Sequence, residues 1–260
     1  MDMGKKTLRI AAAGCVLALA AVGCGHESGT GAAPSAKAQT AQPGTPSASA
    51  STSAAPVSAS KVLSEGQLEQ AGLTGSDLPG FQVAPLVGDG SDQQPTVVAQ
   101  RPPSPAQCAP LNNMTEYLGR FQPVWQVVKA IAAPGKNNIP STTVALASYK
   151  AQDAATVMTE LHGALADCTR FAPPQPSEGL TFTHIQKLSA PAMGDDAISY
   201  RMTQNTPTDN VASALSVVYS YLVVRTGTTV TTFVSNYTGA NSKPADVPQE
   251  IIDTQLKKLT

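Results

Sequence analysis

Residues 28–60 cannot build a core. They are almost wholly Ala, Ser, Thr, Pro and Gly, with Lys37 the only charge, Val57 the only branched aliphatic and no aromatic. Such a segment buries too little apolar surface to offset the entropy of ordering it. It therefore reads as a disordered tether. Its root-mean-square span is about 30 Å, and fully stretched it reaches on the order of 100 Å. Any fold has to lie on either side of it. Residues 61–260 have the length of one ordinary domain with its own core, and no internal repeat is visible.

The other side is too short to be a domain. Lys5, Lys6 and Arg9 precede an uncharged apolar run over residues 10–22, which ends at Gly23-Cys24. A charged start, a short apolar stretch and small residues at its end mark a secretory signal. A spanning helix needs roughly 20 apolar residues, and this run falls short. The stretch Leu19-Ala20-Ala21-Val22-Gly23-Cys24 resembles the lipobox of bacterial lipoproteins of actinobacterial type. The family usually carries Leu where Ala21 stands. The resemblance implies that residues 1–23 are a lipoprotein signal peptide and that Cys24 receives a lipid anchor, with palmitate among its acyl chains. Residues 24–60 then form the lipidated tether. The competing reading is ordinary cleavage within residues 20–23, which leaves Cys24 free. Two buried acyl chains at about 0.8 kcal/mol per methylene anchor a domain stably, so the expected partner is the bilayer, through acylated Cys24. The expected location is the extracytoplasmic face of the cell membrane.

Of the four cysteines, Cys15 lies in the signal and Cys24 is assigned to lipid, which leaves Cys108 and Cys168. An even pair in an exported domain is expected to form a disulfide. Closing a loop of that length adds about 4 kcal/mol in the chain-entropy treatment. A metal site is not expected, because His162 and His184 are the domain's only histidines. Net charge is −1 and 13% of residues are charged, without a basic stripe. Nucleic acid is therefore excluded as an expected partner.

Within residues 61–260, hydrophobic periodicity and turn residues set out ten elements. A helix over residues 64–71 opens on the capping box Ser64-Glu-Gly-Gln67. A second helix is expected over residues 106–118, with Cys108, Leu111, Thr115 and Leu118 at helical spacing. Strands are expected over residues 124–131 and 143–149, with a turn at Pro134-Gly135 between them. The clearest helix covers residues 153–169, where Ala154, Val157, Met158, Leu161, Leu165 and Cys168 share one face. Four more strands follow, at residues 181–188, 197–203, 215–225 and 228–236, the last two joined at Thr226-Gly227. A closing helix starts near Asp246 and carries Ile251, Ile252, Gln255, Leu256 and Leu259 on one stripe. Residues 89–105 read as a surface loop. The order predicts an α+β fold, with an antiparallel sheet of five to six strands flanked by helices and one disulfide.

Several stretches resemble PknH-like extracellular sensor domains, which occur in actinobacterial lipoproteins and receptor Ser/Thr kinases. They are Leu78-Pro79-Gly80-Phe81, Cys108-Ala-Pro-Leu111, Tyr149-Lys-Ala-Gln-Asp153-Ala154-Ala155 with Leu165-Ala-Asp-Cys168, Gly194-Asp195-Asp196-Ala197 and Leu222-Val-Val-Arg225-Thr-Gly227. The resemblance implies an antiparallel sheet with flanking helices, a disulfide and a ligand-binding cleft. The kinase domains carry two disulfides where this chain has cysteines for one, and the chain has no kinase domain.

No catalytic motif is present: no Gly-x-Ser-x-Gly, no phosphate loop and no Cys–His dyad. An enzyme is not expected, and neither is a cofactor. Tyr219 and Tyr221 fall on one strand face, and Arg225 follows them. These three are the candidate ligand-binding residues, because Tyr joins an apolar body to a polar tip. Each also has a plainer role, the tyrosines in packing and Arg225 at a hairpin tip. Asp195-Asp196 reads as turn chemistry, since adjacent strand residues point to opposite faces. His162 reads as a surface histidine, and Trp125 as core. The expected function is a membrane-anchored, sensor-like binding domain for an envelope ligand or protein partner. The alternatives are a structural or assembly lipoprotein and, behind it, a cryptic hydrolase.

Overall fold

A computed structural model describes residues 61–86, 102–133, 140–174, 179–207, 215–237 and 243–260. The signal peptide, Cys24, the tether and the turn expected at residues 134–138 lie outside the described residues. So does most of the loop expected at 89–105.

The domain is a seven-stranded sheet between two layers of helix. Its strands are β1 (Gln82–Pro85), β2 (Trp125–Ala132), β3 (Pro140–Ser148), β4 (Thr181–Leu188), β5 (Asp196–Thr206), β6 (Leu215–Thr226) and β7 (Thr229–Tyr237). They lie in the order β1-β2-β3-β7-β6-β5-β4, and every neighbouring pair is antiparallel. Two meanders, β1 to β3 and β4 to β7, thus meet at the β3–β7 pairing. The helices are α1 (Glu65–Ala71), α2 (Ala109–Met114), α3 (Ala151–Asp167) and α4 (Gln249–Lys257), with a 3-10 turn at Ala106–Cys108 ahead of α2.

The α+β expectation holds, with one correction. The sheet has seven strands and not five to six, because Gln82–Pro85 adds an edge strand beside β2. That segment escapes a sequence reading because it is four residues long and ends in Pro. Proline donates no ladder hydrogen bond and is tolerated at an edge.

Strand alternation sends one set of side chains to each face. On one face α2 and α3 bury Leu111, Met114, Val157, Met158 and Leu161 against Ile198, Tyr200, Met202, Tyr221, Val223 and Val234. On the other, α1 and α4 bury Leu68, Ala71, Ile251 and Ile252 against Val127, Val144, Leu146, Leu222, Val224 and Phe233. Trp125 packs, partly buried, against this second core. The capping box at α1 forms, with the Ser64 amide donating to Gln67 Oε1 at 3.0 Å. Gln255 is fully buried on α4, where its Nε2 donates to the Ala71 carbonyl at 2.8 Å and so caps the end of α1.

Cys108 and Cys168 form a disulfide, with Cα atoms 5.5 Å apart. It ties the entrance of α2 to the exit of α3. Cys168 stands just past the last turn of α3, in extended conformation, rather than inside the helix. The helix expected over residues 106–118 is shorter than its periodicity suggested, because the chain leaves it at Thr115 through a left-handed Tyr117. Asp246 does not open α4. It ion-pairs with Arg201 of β5, and the helix begins at Gln249 after Pro248.

Candidate functional site

The tyrosines expected to matter do come together, and two others join them. Tyr221 of β6 lies in register with Tyr200 of β5, and the rings stack with centroids 4.7 Å apart and planes 3° from parallel. Tyr219, one face-position along β6, sits 6.4 Å from Tyr221, tilted at 44°. Tyr117 reaches the group from the loop after α2 and hydrogen-bonds with Thr143 of β3. Thr143 pairs with Val234, and Val234 with Tyr221. A single cross-strand row therefore runs from Tyr200 through Tyr221 and Val234 to Thr143. Tyr200 and Tyr221 are buried, whereas Tyr117 and Tyr219 are half-buried.

The backbone at Tyr117 is unusual. Its φ is +59°, in the left-handed region. The Tyr117 amide donates to the Met114 carbonyl at 3.1 Å, and the Leu118 amide to that of Asn113 at 3.2 Å. These are the two bonds of a Schellman helix ending, in which the left-handed position is ordinarily glycine. A side chain there costs on the order of 1 kcal/mol or more. The Tyr117 carbonyl also accepts from Gln126 Nε2 at 3.1 Å, which helps hold the loop.

Burial sets the chemistry of the cluster. It raises the Tyr117 and Tyr219 phenols above their ordinary value, and it drives Tyr200 and Tyr221 well above it. Neighbouring tyrosines and Glu116 push Tyr221 further in the same direction. At neutral pH all four stay protonated. They offer hydroxyl groups and ring surface, not bases or nucleophiles. The Tyr200 hydroxyl is buried without a hydrogen-bond partner among the described residues.

Arg225 is elsewhere. It lies six residues along β6 from Tyr219, about 20 Å at strand rise, beside the β6–β7 turn. Its Nη1 donates to Asp195 Oδ2 at 3.0 Å and to the Gly227 carbonyl at 3.2 Å. Asp195 Oδ2 also accepts from the Gly227 amide at 2.7 Å. Gly194, at φ +59°, lies so close to the Arg225 carbonyl that a Cβ there would collide with it. The guanidinium is therefore used in closing this end of the sheet. Asp196, the other member of the acidic pair, meets His162 of α3 at 3.1 Å. The two carboxylates serve different partners, Asp195 from the bend before β5 and Asp196 from the first residue of the strand.

Sequence reading missed Tyr117 and Tyr200. Tyr200 stands within an expected strand, and its alternation with Ile198 and Met202 was a usable signal for its face. Nothing in the sequence marks Tyr117, because its place follows from a helix ending one turn early.

Among the described residues, no helix is long and apolar enough to cross a membrane. None of these residues forms a group of three or more His, Cys, Asp or Glu placed to hold a metal. No family model matches the chain, and no curated protein matches it. Two solved structures do. One is the extracellular domain of PknH from Mycobacterium tuberculosis, at 12% identity and a TM-score of 0.41, covering 77% of this chain and 96% of that one. The other is an uncharacterised protein from Mycobacterium smegmatis, at 18% identity and a TM-score of 0.36, covering 78% and 97%. At these levels neither likeness carries an argument. The fold rests on strand register and core packing, and the site on the residues described above.

Proposed function

We propose that the chain is an extracytoplasmic, membrane-tethered binding protein of sensor type, and that its ligand site is the tyrosine cluster of Tyr117, Tyr219 and Tyr221. The observation that carries this is Tyr117. A tyrosine occupies a position where glycine would be less strained, and its ring joins other tyrosines that burial keeps neutral. Local strain held by its surroundings collects where function needs a particular side chain. Neutral phenols suit recognition and give no handle for acid–base turnover, so binding is favoured over a hydrolase.

The anchoring half rests on the sequence. Residues 19–24 resemble a lipobox, and the Cys108–Cys168 disulfide suits an oxidising compartment. The tether side of the chain enters the domain at the β6–β7 turn. There Thr228 Oγ1 donates to the Lys61 carbonyl at 2.7 Å, and the Leu63 amide donates to Ser148 Oγ at 2.8 Å. Tyr219 lies toward the opposite end of the strands, away from this attachment.

Thermal unfolding of the full chain in a small-molecule extract of bacterial cell envelope tests the binding half. The extract is expected to raise the midpoint of the wild type and to leave Tyr219→Ala unchanged. An equal rise in both, or none in either, contradicts the assignment of the site.

A further inference from the structure

The reading of the tyrosine cluster as a ligand site can be taken one step further, to the class of ligand, and this step rests on that reading. We propose that Tyr117 and Tyr219, with Tyr221 behind them and Glu116 alongside, form a site for an organic cation of the quaternary ammonium type.

Ring faces carry negative potential and attract cations, most strongly where several rings meet and water is partly excluded. Tyr219 and Tyr221 present rings tilted at 44°, and Tyr117 adds a third. The charge pattern agrees. Glu116 adjoins Tyr117 in the chain, is exposed, and is the charged side chain whose field reaches both Tyr117 and Tyr221. Arg120, the next cation along the chain, is turned away. It pairs with Glu160 at 3.0 Å and covers the ring of Phe121. An exposed carboxylate close to the Tyr117 and Tyr221 rings repels an anion and suits a weakly hydrated cation. Tyr117 packs, half-buried, against the α2–α3 core, and it does so from a left-handed position that glycine would occupy with less strain.

The test uses the full chain in a maltoside detergent, labelled with 3-fluorotyrosine and followed by fluorine NMR. Choline and tetramethylammonium are titrated against 3,3-dimethylbutanol, a neutral molecule of choline's shape. The two cations are expected to shift the Tyr117 and Tyr219 resonances saturably, and the alcohol to bind at least about ten-fold more weakly, within the range of cation–π energies. Glu116→Gln is expected to weaken the cations about three-fold or more and leave the alcohol as it was. Tyr117→Gly is expected to abolish the shift of the Tyr219 resonance while circular dichroism shows the fold retained. Equal binding of cation and alcohol overturns the proposal and makes the site simply apolar. No saturable shift with either cation also overturns it. If envelope extract still stabilises the wild type and not Tyr219→Ala, then the ligand site stands and only the cation assignment falls.

Discussion

Tyr200 and Tyr221 stack face to face across the β5–β6 pairing, 4.7 Å between ring centroids and 3° from parallel. Both rings are buried under α2 and α3. Such a pair contributes about 0.5–1.5 kcal/mol beyond the area it buries. It also fixes the bed against which Tyr219 and Tyr117 are held.

That burial has a consequence at high pH. Tyr200 and Tyr221 are held well above the ordinary tyrosine value of 10.0, and Tyr149, buried beneath α3, is pushed up to about 12. The folded state keeps these protons where the unfolded chain loses them. Their contribution to stability is therefore intact below pH 10 and declines as pH rises through the folded values. In an absorbance titration at 295 nm, these phenols are expected to ionise only together with unfolding as followed by circular dichroism. Ionisation of all the tyrosines near pH 10, with the fold intact, would contradict this.

At low pH the sensitive contact is on the other face. Lys258 Nζ meets Asp77 Oδ2 at 2.7 Å, tying the end of α4 to the turn after α1. Burial alone would raise Asp77, but hydrogen bonds from Lys258 and Thr74 outweigh it and hold the carboxyl below 3.8. The stability this supplies is present above the unfolded value and is lost as pH falls through the folded one. Asp77→Asn is expected to lower the unfolding midpoint at pH 7 and to flatten its decline below about pH 4. A decline identical to the wild type's would remove Asp77 from the account.

Reducing Cys108–Cys168 frees a loop of sequence separation 60. The loss is about 4 kcal/mol in the chain-entropy treatment, or roughly 10 °C in the melting midpoint for a domain of this size. A calorimetric scan with and without reductant measures it. Cys108→Ala with Cys168→Ala should reproduce the reduced value.

Gly194→Ala is expected to cost on the order of 2 kcal/mol or more, from a positive φ and a collision with the Arg225 carbonyl together. Arg225→Ala should weaken the same turn and leave ligand binding alone, since the guanidinium is bound to Asp195 and Gly227. Denaturant midpoints check the first effect. Envelope-extract stabilisation of the Arg225 variant, compared with the wild type, checks the second.

Much of the fold was legible because its elements are periodic. Richness in Val, Thr and Tyr on either side of Thr226-Gly227 placed β6 and β7 within a residue of their observed ends, and the stripe from Ile251 to Leu259 placed α4 with Gln255 inward. The capping box at Ser64 and Gln67 named the start of α1. What was lost lacked a local signal. Gln82–Pro85 is a strand only because β2 offers it an edge. The site was half legible. Tyr219 and Tyr221 share a face by parity. Tyr200 joins them through strand pairing with Tyr221, and Tyr117 through a local helix ending that brings it to Thr143 of β3, so both contacts are made between residues far apart in the chain. Arg225 was grouped with them by sequence proximity, but strand rise carries it about 20 Å away.

Hydrogen–deuterium exchange on the full chain, with and without the envelope extract, addresses the ligand site directly. The expected result is slower exchange in two segments distant in sequence, residues 115–119 and 217–221, with residues 194–196 and 225–228 unchanged. Protection confined to the Asp195–Arg225 end, or no change at residues 115–119, would contradict a ligand seated on Tyr117 and Tyr219.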